Sequence, residues 1–424
     1  MIRSQLYTVL KKFYKRYSLN QENISYALDN LNAEDRGFFI KVLNHTIKNH
    51  IKIDFILKKL IKNFNSIPPA SKTFLRLGVS QLLLGIDEYA AVNETVKLVK
   101  NKKQKSFVNA VLRNFIRQKD EILNNIPEYI EYSFPKWIYD EISFLNHRTE
   151  ILKKHNKEPQ ITIRINTLKT NKKDLIEKLN ELGIEVKNSL HFENSLIIQN
   201  NKDILLINHL FEEGFYYVQN ESSQLVAHIL NPKENDEVLD SCSAPGGKTT
   251  HLAELMKNYG TIDAYENDII RLEMVKKNAD KLGINIINTD LKDSSNVKLT
   301  KSYNKVLIDA PCTSAGISSI HPEVLLRLDE KNIEIYSKIQ KDILHNILSQ
   351  VGKGTEIVYS TCTFFQEENT KNMKYISEIF DIEFIDFKND LNHFNIKSQY
   401  DGYGHYIIPD DYLIPFYITK IVKK

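Results

Sequence analysis

The sequence predicts an α/β protein in which an all-α region and a small α+β segment precede a doubly wound parallel sheet. Three observations predict this order. Through residues 1–125, apolar residues recur three and four positions apart, as in FFIKVLNHTIKNHIKIDFILKKLI, which is a helical period. Residues 126–215 mix helical and strand-like stretches. From residue 216 to 424, strands and helices alternate, as they do in parallel sheets with crossover helices. We therefore predict three domains with these bounds.

The N-terminal region is predicted to be helical throughout. SIPPASKTFLRLGVSQLLLG opens with two prolines and continues as a buried helix, and VNETVKLVK and KSFVNAVLRNFIRQ follow as further helices. Residues 1–150 contain 24 Lys and Arg against 15 Asp and Glu, whereas the rest of the chain is slightly acidic. This imbalance favours a polyanionic partner, although a solvated helical surface would produce the same pattern.

Composition limits the class of protein. No apolar run approaches the roughly 18 residues that a membrane-spanning helix needs, so we expect no membrane partner. Three cysteines cannot build a disulfide framework, which favours a reducing cytoplasm, and a CxxC spacing typical of structural zinc is absent. We expect a cytoplasmic monomer without a metal.

The middle segment is predicted to form a small α+β unit. PQITIRINT alternates apolar and polar residues like a strand, and SLIIQ is a further short strand. Between them, NKKDLIEKLNELGIEV reads as a helix that ends at Gly183 and continues as a strand.

Five strands are predicted in the C-terminal region: DEVLDSC, GTIDAYE, INIINTD, NKVLIDAPC and GTEIVYSTC. Helical stretches such as KTTHLAELMKN and DIIRLEMVKKNADKLG separate them. Sheets of this class bind ligands outside the carboxyl ends of their strands. All three cysteines, Cys242, Cys312 and Cys362, are therefore expected at the ligand-binding edge.

The segment DSCSAPGGKTTHLAE has the pattern of a cofactor-binding turn, since Gly246 and Gly247 allow a tight turn and a close approach. A nucleotide P-loop would need glycine where Cys242 stands, and the dinucleotide pattern GxGxxG is absent. Glu266 follows Gly246 by twenty residues and is suited to accept ribose hydroxyls, and Asp290 is suited to accept an adenine amino proton. A nucleoside cofactor without a diphosphate cradle suggests S-adenosyl-L-methionine. Taken alone, Glu266 has a simpler interpretation as a surface acid.

Cys312 and Cys362 suggest the chemistry. A lone cysteine at a strand end most often fills space in the core. Two of them beside a cofactor turn favour a thiolate nucleophile instead. A methyl donor and a thiolate together indicate methylation of a carbon that is not nucleophilic by itself, such as C5 of cytosine. Thiolate addition at C6 would activate that carbon.

The motifs DSCSAPGGKTTHLAE, LIDAPCTSAG and YSTCTFFQEEN resemble those of RNA 5-methylcytosine methyltransferases, most closely the RsmB (Sun) family. LRLGVSQLLLGIDEYAAVNETVKLVK and SFVNAVLRN resemble the NusB-like RNA-binding domain that opens that family. YVQNESSQLVA resembles the segment that enters its catalytic domain, and SSIHPEVLLRLDEKNIEIYSKIQKDIL the stretch after the first cysteine motif. The resemblance implies a Rossmann-like methyltransferase domain that acts on a cytosine of 16S rRNA, naked or in an assembling small subunit.

The resemblance also implies a role for each motif residue. The turn that would hold the methionine part of the cofactor consists of Cys242, Ser243, Ala244, Pro245, Gly246, Gly247 and Lys248. Glu266 corresponds to the ribose-binding acid and Asp290 to the acid near adenine. Asp309 corresponds to the acid between cofactor and target base. Cys362 corresponds to the nucleophile, and Cys312 to the second cysteine, which promotes product release.

Two segments depart from the family pattern. Thr313-Ser314-Ala315 stands where Ser-Gly-Thr or Ser-Ala-Thr is more frequent, and LIPFYITKI replaces a DGFF-like stretch near the C-terminus. Two other functions stay open at this point. The chain could perform the same chemistry on tRNA or on another rRNA cytosine. It could also be a non-catalytic RNA-binding factor built on the NusB-like region, although such a factor would not need both cysteines and the Gly-rich turn.

Overall fold

The protein forms two compact units. The computed structural model describes residues 2–19, 21–29, 31–124, 126–200 and 205–424. The first unit comprises Met1–Phe144 together with Ile320–Arg327, and the second comprises Leu145–Ser319 and Leu328–Lys424. The predicted boundaries after residues 125 and 215 stay predictions, because these units do not separate the middle segment from the C-terminal region.

The first unit is built of helices, as predicted. They are α1 (Ile2–Arg16), α2 (Gln21–Asp29), α3 (Ala33–Lys48), α4 (His50–Leu60), α5 (Pro69–Leu83), α6 (Glu88–Lys97), α7 (Lys102–Leu123), α8 (Glu128–Glu131), α9 (Lys136–Glu141) and, from the later segment, α16 (Glu323–Arg327). Helix α5 is buried on almost every side, which its continuous apolar sequence requires. A Cβ atom at Gly78 would lie 2.6 Å from Cδ1 of Leu112, so α5 and α7 pack closely. Leu326 of α16 packs against the apolar core of this unit.

The second unit begins with a small antiparallel sheet. Its elements are α10 (Arg148–Asn156), β1 (Thr162–Ile165), α11 (Lys172–Glu181), β2 (Val186–Asn188), β3 (Ser195–Ile198), α12 (His209–Glu212) and β4 (Tyr216–Val218). The strand order is β2-β3-β1-β4. Leu175 and Leu179 of α11 pack with Ile163 and Leu196 in the core of this sheet. The predicted strands and helix of the middle segment are thus present.

A mixed sheet of nine strands follows in the same unit. Its elements are α13 (Glu221–Leu230), β5 (Glu237–Asp240), α14 (Gly247–Leu255), β6 (Thr261–Glu266), α15 (Ile269–Leu282), β7 (Ile287–Leu291), β8 (Lys305–Asp309), α17 (Glu330–Leu348), β9 (Glu356–Thr361), α18 (Thr370–Ser377), β10 (Ile382–Ile385), α19 (Lys388–His393), β11 (Ser398–Tyr400), β12 (His405–Ile407) and β13 (Phe416–Lys423). Strands β7-β6-β5-β8-β9 run parallel in that order. They are the five predicted strands, which confirms the fold class. The strand order reverses at β5, and the crevice between β5 and β8 is where such sheets bind ligands.

Four antiparallel strands extend this sheet beyond the prediction. Strand β13 pairs with β9, and β12 and β10 both pair with β13, while β11 pairs with β12. The short strands β10, β11 and β12 have three or four residues each, too few for an alternating pattern to stand out. Pro415 immediately precedes β13, a place where its missing N–H costs no ladder hydrogen bond.

A buried arginine joins the small sheet to helix α14. Arg164 of β1 donates to both carboxylate oxygens of Glu254, to the side chains of Gln219 and Thr250, and to the carbonyl of Gly247. These bonds use all five N–H groups of the guanidinium. The side chains of Arg164 and Glu254 are only 2% and 4% exposed. The ion pair therefore fixes α14, and the turn that precedes it, against the small sheet.

No helix in the described ranges is both long enough and apolar enough to cross a membrane.

Replacing Arg164 by methionine should destabilise the second unit strongly, because Glu254 would remain buried without its cation. Breaking a buried ion pair in this way costs about 3–5 kcal/mol. The free energy of unfolding in urea, followed by circular dichroism, measures the loss. The double variant Arg164→Met/Glu254→Leu removes both charges and should recover much of the stability. Equal stability of the single variant and the wild type would contradict the role given to this pair.

Candidate active site

The structure brings two of the three cysteines into contact. Cys312 follows β8 and Cys362 follows β9, and the two strands are parallel neighbours in which Asp309 lies opposite Ser360. The sulfur atoms are 3.4 Å apart. Cys242 follows β5, the neighbour of β8 on its other side. All three cysteines are thus at the predicted edge of the sheet.

A cavity of about 430 Å³ opens at this edge. The predicted site residues that line it are Cys242, Ala244, Lys248, Glu266, Asp309, Cys312 and Cys362. A smaller chamber of about 220 Å³ adjoins it and is lined by three others, Ser243, Pro245 and Gly247. The cavity is also lined by residues to which the sequence assigned no role, among them Arg271, Lys292 and Asp293, and by Ser314, Ile414 and Phe416 from the two segments that depart from the family pattern.

The Gly-rich turn is shaped by its backbone. Gly246 has φ +99°, a conformation that disfavours any side chain, and a Cβ atom there would lie 3.1 Å from Cα of Val275. The N–H of Gly246 donates to the carbonyl of Ser243 at 2.7 Å, and Ser243 donates in turn to the carbonyl of Tyr265. The hydroxyl of Thr249 donates to Asp240 at 2.7 Å. These bonds hold the turn between β5 and β6, where its backbone faces the cavity.

Glu266 is placed as a nucleoside-binding acid requires. It ends β6, is 5% exposed, and its Oε1 accepts the N–H groups of Asn267 and Asp268 at 3.0 and 3.2 Å. Arg271 lies 3.7 Å from the other oxygen, Oε2, which can still accept hydrogen bonds from a ligand. A buried carboxylate with a free acceptor at the cavity wall fits the ribose of S-adenosyl-L-methionine.

Asp290 is not among the residues that line the cavity, but it contacts one of them. Its carboxylate pairs with Lys292 at 2.9 Å and is about half exposed, and it is Lys292 and Asp293 that line the cavity. The sequence predicted that an acid at the end of β7 would face this part of the cavity, but the side chains that line it come from the loop after that strand. That loop has no regular period from which the sequence could predict its direction.

Asp309 connects the cofactor turn to the cysteine strands. It accepts hydrogen bonds from the ammonium group of Lys248 and from the hydroxyl of Ser360, both at 2.7 Å. Burial by itself would lower the pKa of Lys248, but the charge and hydrogen bond of Asp309 outweigh it and raise that pKa. The lysine is therefore a fixed cation beside the cavity.

The pKa values of the two cysteine thiols are shifted in opposite directions. The hydrogen bond from Cys312 lowers the pKa of Cys362 against the effect of burial. The hydrogen bond with Ser314 and the charge of Lys248 lower that pKa further, although the negative charge of Asp309 opposes them. The same hydrogen bond, together with burial, raises the pKa of the Cys312 thiol. The contact between the two sulfur atoms therefore favours the thiolate form at Cys362 over the thiolate form at Cys312.

Ser314 accounts for one departure from the family pattern. It has φ +59°, the left-handed conformation that glycine adopts most easily. Its hydroxyl oxygen lies 3.5 Å from the sulfur of Cys362 and 3.8 Å from that of Cys312. Ser314 therefore makes this turn in the left-handed conformation and has its hydroxyl beside both sulfur atoms.

A buried carboxylate clamps the two cysteine loops together. Glu368 is fully buried and accepts hydrogen bonds from the N–H and the hydroxyl of Thr313 and from the amide of Gln340. The hydroxyl of Thr363 lies 2.9 Å from that of Thr313. Each threonine directly follows a cysteine, so this clamp sets the distance between the two sulfur atoms. The sequence could have indicated this clamp, because the pair Cys-Thr occurs twice and an acid stands six residues after the second cysteine.

The departure at LIPFYITKI also has a structural explanation. Ile414 and Phe416 line the cavity, and the ring of Phe416 lies 5.3 Å from the ammonium of Lys248. A Cβ atom at Gly316 would lie 2.4 Å from the carbonyl oxygen of Pro415. Only glycine lets the loop after Cys312 approach this wall.

Comparison with known proteins finds family matches for three ranges of the chain. Residues 227–422 match the family described as 16S rRNA methyltransferase RsmB/F. Residues 3–117 match the NusB family, and residues 134–205 match the ferredoxin-like domain of RsmF/B-like methyltransferases.

Individual relatives align with most of this chain. A probable ribosomal RNA small subunit methyltransferase B of Bacillus subtilis (strain 168) is 32% identical over 378 residues, which are 85% of this chain and 83% of the relative. A ribosomal RNA small subunit methyltransferase B of Proteus mirabilis (strain HI4320) is 27% identical, covering 89% of this chain and 90% of the relative. The crystal structure of a methyltransferase homolog protein from Pyrococcus horikoshii superposes with a TM-score of 0.59 at 26% identity, covering 70% of this chain and 98% of that one.

Replacing Glu368 by glutamine should slow alkylation of Cys362 several-fold at neutral pH. The amide presents a donor where Thr313 and Gln340 need acceptors, so Cys312 moves and its hydrogen bond to Cys362 weakens. The pKa of Cys362 then rises, and its thiolate fraction falls about tenfold for each unit. The rate of iodoacetamide labelling against pH, resolved by peptide mass spectrometry, measures this shift. We also expect a loss of about 1–3 kcal/mol in the free energy of unfolding.

Glu367→Gln is the matched control for this prediction. Glu367 is the neighbour of Glu368 in the chain, but its carboxylate pairs with Lys371 outside the clamp. Its variant should keep the labelling profile of the wild type. An unchanged profile in Glu368→Gln would show that the clamp does not control the acidity of Cys362.

Proposed function

This chain belongs to the RsmB/F family of 16S rRNA methyltransferases, and from that premise we propose that it forms 5-methylcytosine at one cytosine of 16S rRNA. The observation that carries the proposal is the pair of sulfur atoms 3.4 Å apart at the wall of a cavity that also contains Asp309 and Lys248. Methylation at an oxygen or an exocyclic nitrogen would not need a thiolate. Addition to C6 of a pyrimidine ring does.

The methyl donor of the family is S-adenosyl-L-methionine, which supplies a methyl group on a positively charged sulfur atom. We assign the ribose to Glu266 and the methionine part to the turn from Cys242 to Lys248. Asp290 acts near the adenine through Lys292 in this assignment, since the two side chains are paired.

Cys362 is proposed as the nucleophile. Its thiolate adds to C6 of the cytosine, forming the S–C6 bond, and the displaced ring electrons make C5 nucleophilic. S-adenosyl-L-methionine, which Glu266 and the turn from Cys242 to Lys248 would hold, would supply the methyl group that C5 receives. Asp309 and Lys248 form a fixed ion pair beside the ring and orient it. The thiolate form of Cys362 that this step needs is favoured by the hydrogen bond from Cys312.

Cys312 is proposed to release the product. Its pKa is raised first of all by its hydrogen bond to Cys362. Once Cys362 is bonded to C6, its sulfur is a neutral thioether and that cause disappears. The Cys312 thiol therefore becomes more acidic when the adduct forms. After its own proton passes to water in the open cavity, the Cys312 thiolate can take the proton from C5, so that the C5=C6 bond re-forms and the S–C6 bond breaks.

The substrate is assigned from the relatives. Proteins named ribosomal RNA small subunit methyltransferase B align with more than four fifths of this chain, including the NusB region. The same chemistry on tRNA would not account for that shared N-terminal region. A non-catalytic RNA-binding factor would have no use for the paired cysteines and the Glu368 clamp.

The NusB region is proposed to supply RNA affinity. Helix α7 and the residue before its cap carry a group of exposed cations: Lys100, Lys102, Lys103, Lys105 and Arg113. Several exposed cations on one helix are suited to contact the phosphates of RNA. Such contacts release counterions and make the binding affinity dependent on salt.

The variant Cys312→Ala should methylate its RNA once and then remain attached to it. Without a group to take the C5 proton, the thioether to Cys362 cannot be eliminated. A denaturing gel should show a slowly migrating band that contains both protein and RNA. The rate of multiple turnover should fall by several orders of magnitude, as it does when one member of a catalytic unit is lost.

Cys362→Ala is the control, because it lacks the nucleophile and should give neither product nor band. The double variant should also lack the band. If Cys312→Ala turns over freely, or if the band persists without Cys362, the two roles are assigned wrongly.

Changing Lys102, Lys103 and Lys105 together to glutamine should weaken binding to 16S rRNA and leave cofactor affinity unchanged. The slope of log K against log salt should become shallower by about two to three, since each phosphate contact contributes roughly 0.7–0.9. Filter binding over a salt series measures this slope. The comparison variant Lys276→Gln/Lys277→Gln removes exposed charge from α15 instead, and an equal loss there would mean that α7 has no special part.

A further inference from the structure

The two sulfur atoms at the cavity are close enough to react with each other. Sγ of Cys312 lies 3.4 Å from Sγ of Cys362, and both residues are free thiols. The N–H of Ala310 donates to the carbonyl of Ser360 at 3.1 Å, on one side of the pair. On the other side, the N–H of Gly316 donates to the carbonyl of Cys362 at 2.9 Å. These bonds keep the two loops near the spacing of neighbouring strands, about 5 Å, which is within the roughly 4.4–6.8 Å between the Cα atoms of a disulfide.

The pair is also accessible and suited to oxidation. Cys312 and Cys362 are partly exposed and line the main cavity, so a small solute can reach both sulfur atoms. The pKa of the Cys362 thiol is lowered, first of all by its hydrogen bond with Cys312, and the thiolate is the form of cysteine that reacts with peroxides. By contrast, burial and the charge of Asp240 raise the pKa of Cys242. A thiolate with a second thiol beside it is the arrangement typical of redox-sensing cysteines.

We propose that Cys312 and Cys362 form an oxidation site for hydroperoxides, at which a reversible disulfide replaces the two thiols. First, the Cys362 thiolate attacks the peroxide, the O–O bond breaks, and Cys362 becomes a sulfenic acid. The rest of the peroxide takes a proton and leaves as water or an alcohol. Next, the sulfur of Cys312 attacks the sulfur of Cys362, the S–O bond breaks, and the hydroxyl leaves as water with the Cys312 proton. Two electrons thus pass from the sulfur pair to one peroxide.

The disulfide has two consequences. It removes the thiolate that attacks C6, so methyl transfer stops until a reductant restores the thiols, and this consequence alone rests on the proposed function. It also consumes the sulfenic acid before a second peroxide converts it to sulfinic acid, which thiol reductants do not reverse. In a reducing compartment such a disulfide is transient, as is usual for redox-sensing pairs.

Treatment of the whole chain with stoichiometric hydrogen peroxide tests the site. The number of thiols that react with dithionitrobenzoate after unfolding should fall from three to one, since Cys242 keeps its thiol. Peptide mass spectrometry should find Cys312 joined to Cys362, with a mass lower by two hydrogen atoms. Dithiothreitol should restore all three thiols. Methyl transfer to a 16S rRNA transcript should be lost and recovered together with them.

The variant Cys312→Ala separates oxidation of Cys362 from formation of the disulfide. It lacks the second thiol, so peroxide should produce a sulfenic acid at Cys362 that dimedone traps. Without dimedone, that sulfenic acid should proceed to sulfinic acid, and dithiothreitol should not restore the thiol.

Glu368→Gln tests whether the contact between the sulfur atoms controls the outcome, and Glu367→Gln is its matched control. The ratio of disulfide to sulfinic acid depends only on steps after the sulfenic acid has formed, so a change in the pKa of Cys362 does not affect it. This ratio should fall several-fold when the clamp is loosened in Glu368→Gln. It should keep the wild-type value in Glu367→Gln, whose carboxylate pairs with Lys371.

Three thiols retained in peroxide, or sulfinic acid at Cys362 as the main product of the wild type, would overturn the oxidation site. Disulfide formation with undiminished methyl transfer would support the oxidation site and contradict Cys362 as the nucleophile. The mass and the thiol count are measured without turnover, so failure of the oxidation site is distinguished from failure of the proposed function.

Discussion

The buried guanidinium of Arg164 is the interaction on which the arrangement of the second unit depends. A charge that is 2% exposed is tolerated only when every donor is paired, and its five N–H groups bond to Glu254, Gln219, Thr250 and Gly247. Three of these partners belong to helix α14, so the strand β1 and the helix cannot separate without exposing an unpaired ion. The hydrogen bonds of Arg164 therefore also position the turn before α14, which faces the cavity.

A second constraint comes from the parallel sheet. Strands β8 and β9 are neighbours, and the spacing between neighbouring strands, about 5 Å, brings the loops at their ends within contact distance. The spacing alone does not set the distance between Cys312 and Cys362. Glu368 and the two threonines fix it through buried hydrogen bonds, which are strong and directional in an environment that excludes water. The unequal acidity of the two thiols follows from that geometry.

The C-terminal antiparallel strands complete the site from the other side. Because β13 pairs with β9, Phe416 at its first position reaches the cavity that the parallel strands open. Gly316 lies against Pro415 and accepts no larger side chain without displacing it. The loop after Cys312 therefore passes between its own sheet edge and the C-terminal wall, and its path is determined by both.

The sequence by itself determined the five parallel strands, the helical N-terminal region, and the edge at which all three cysteines lie, because these depend on local periodicity and on where apolar runs end. It also led us to expect Glu266 and the Gly-rich turn at this edge, where the structure has them, since a motif keeps acid and glycines at fixed spacing; their roles in cofactor binding stay predictions. Only the tertiary structure decided that Lys292 and Asp293, rather than Asp290, line the cavity, that Glu368 clamps the cysteine loops, and that Gln219 lines the smaller chamber. These depend on contacts between residues up to 90 positions apart, as Arg164 and Glu254 are, and no local pattern encodes which buried polar groups will meet.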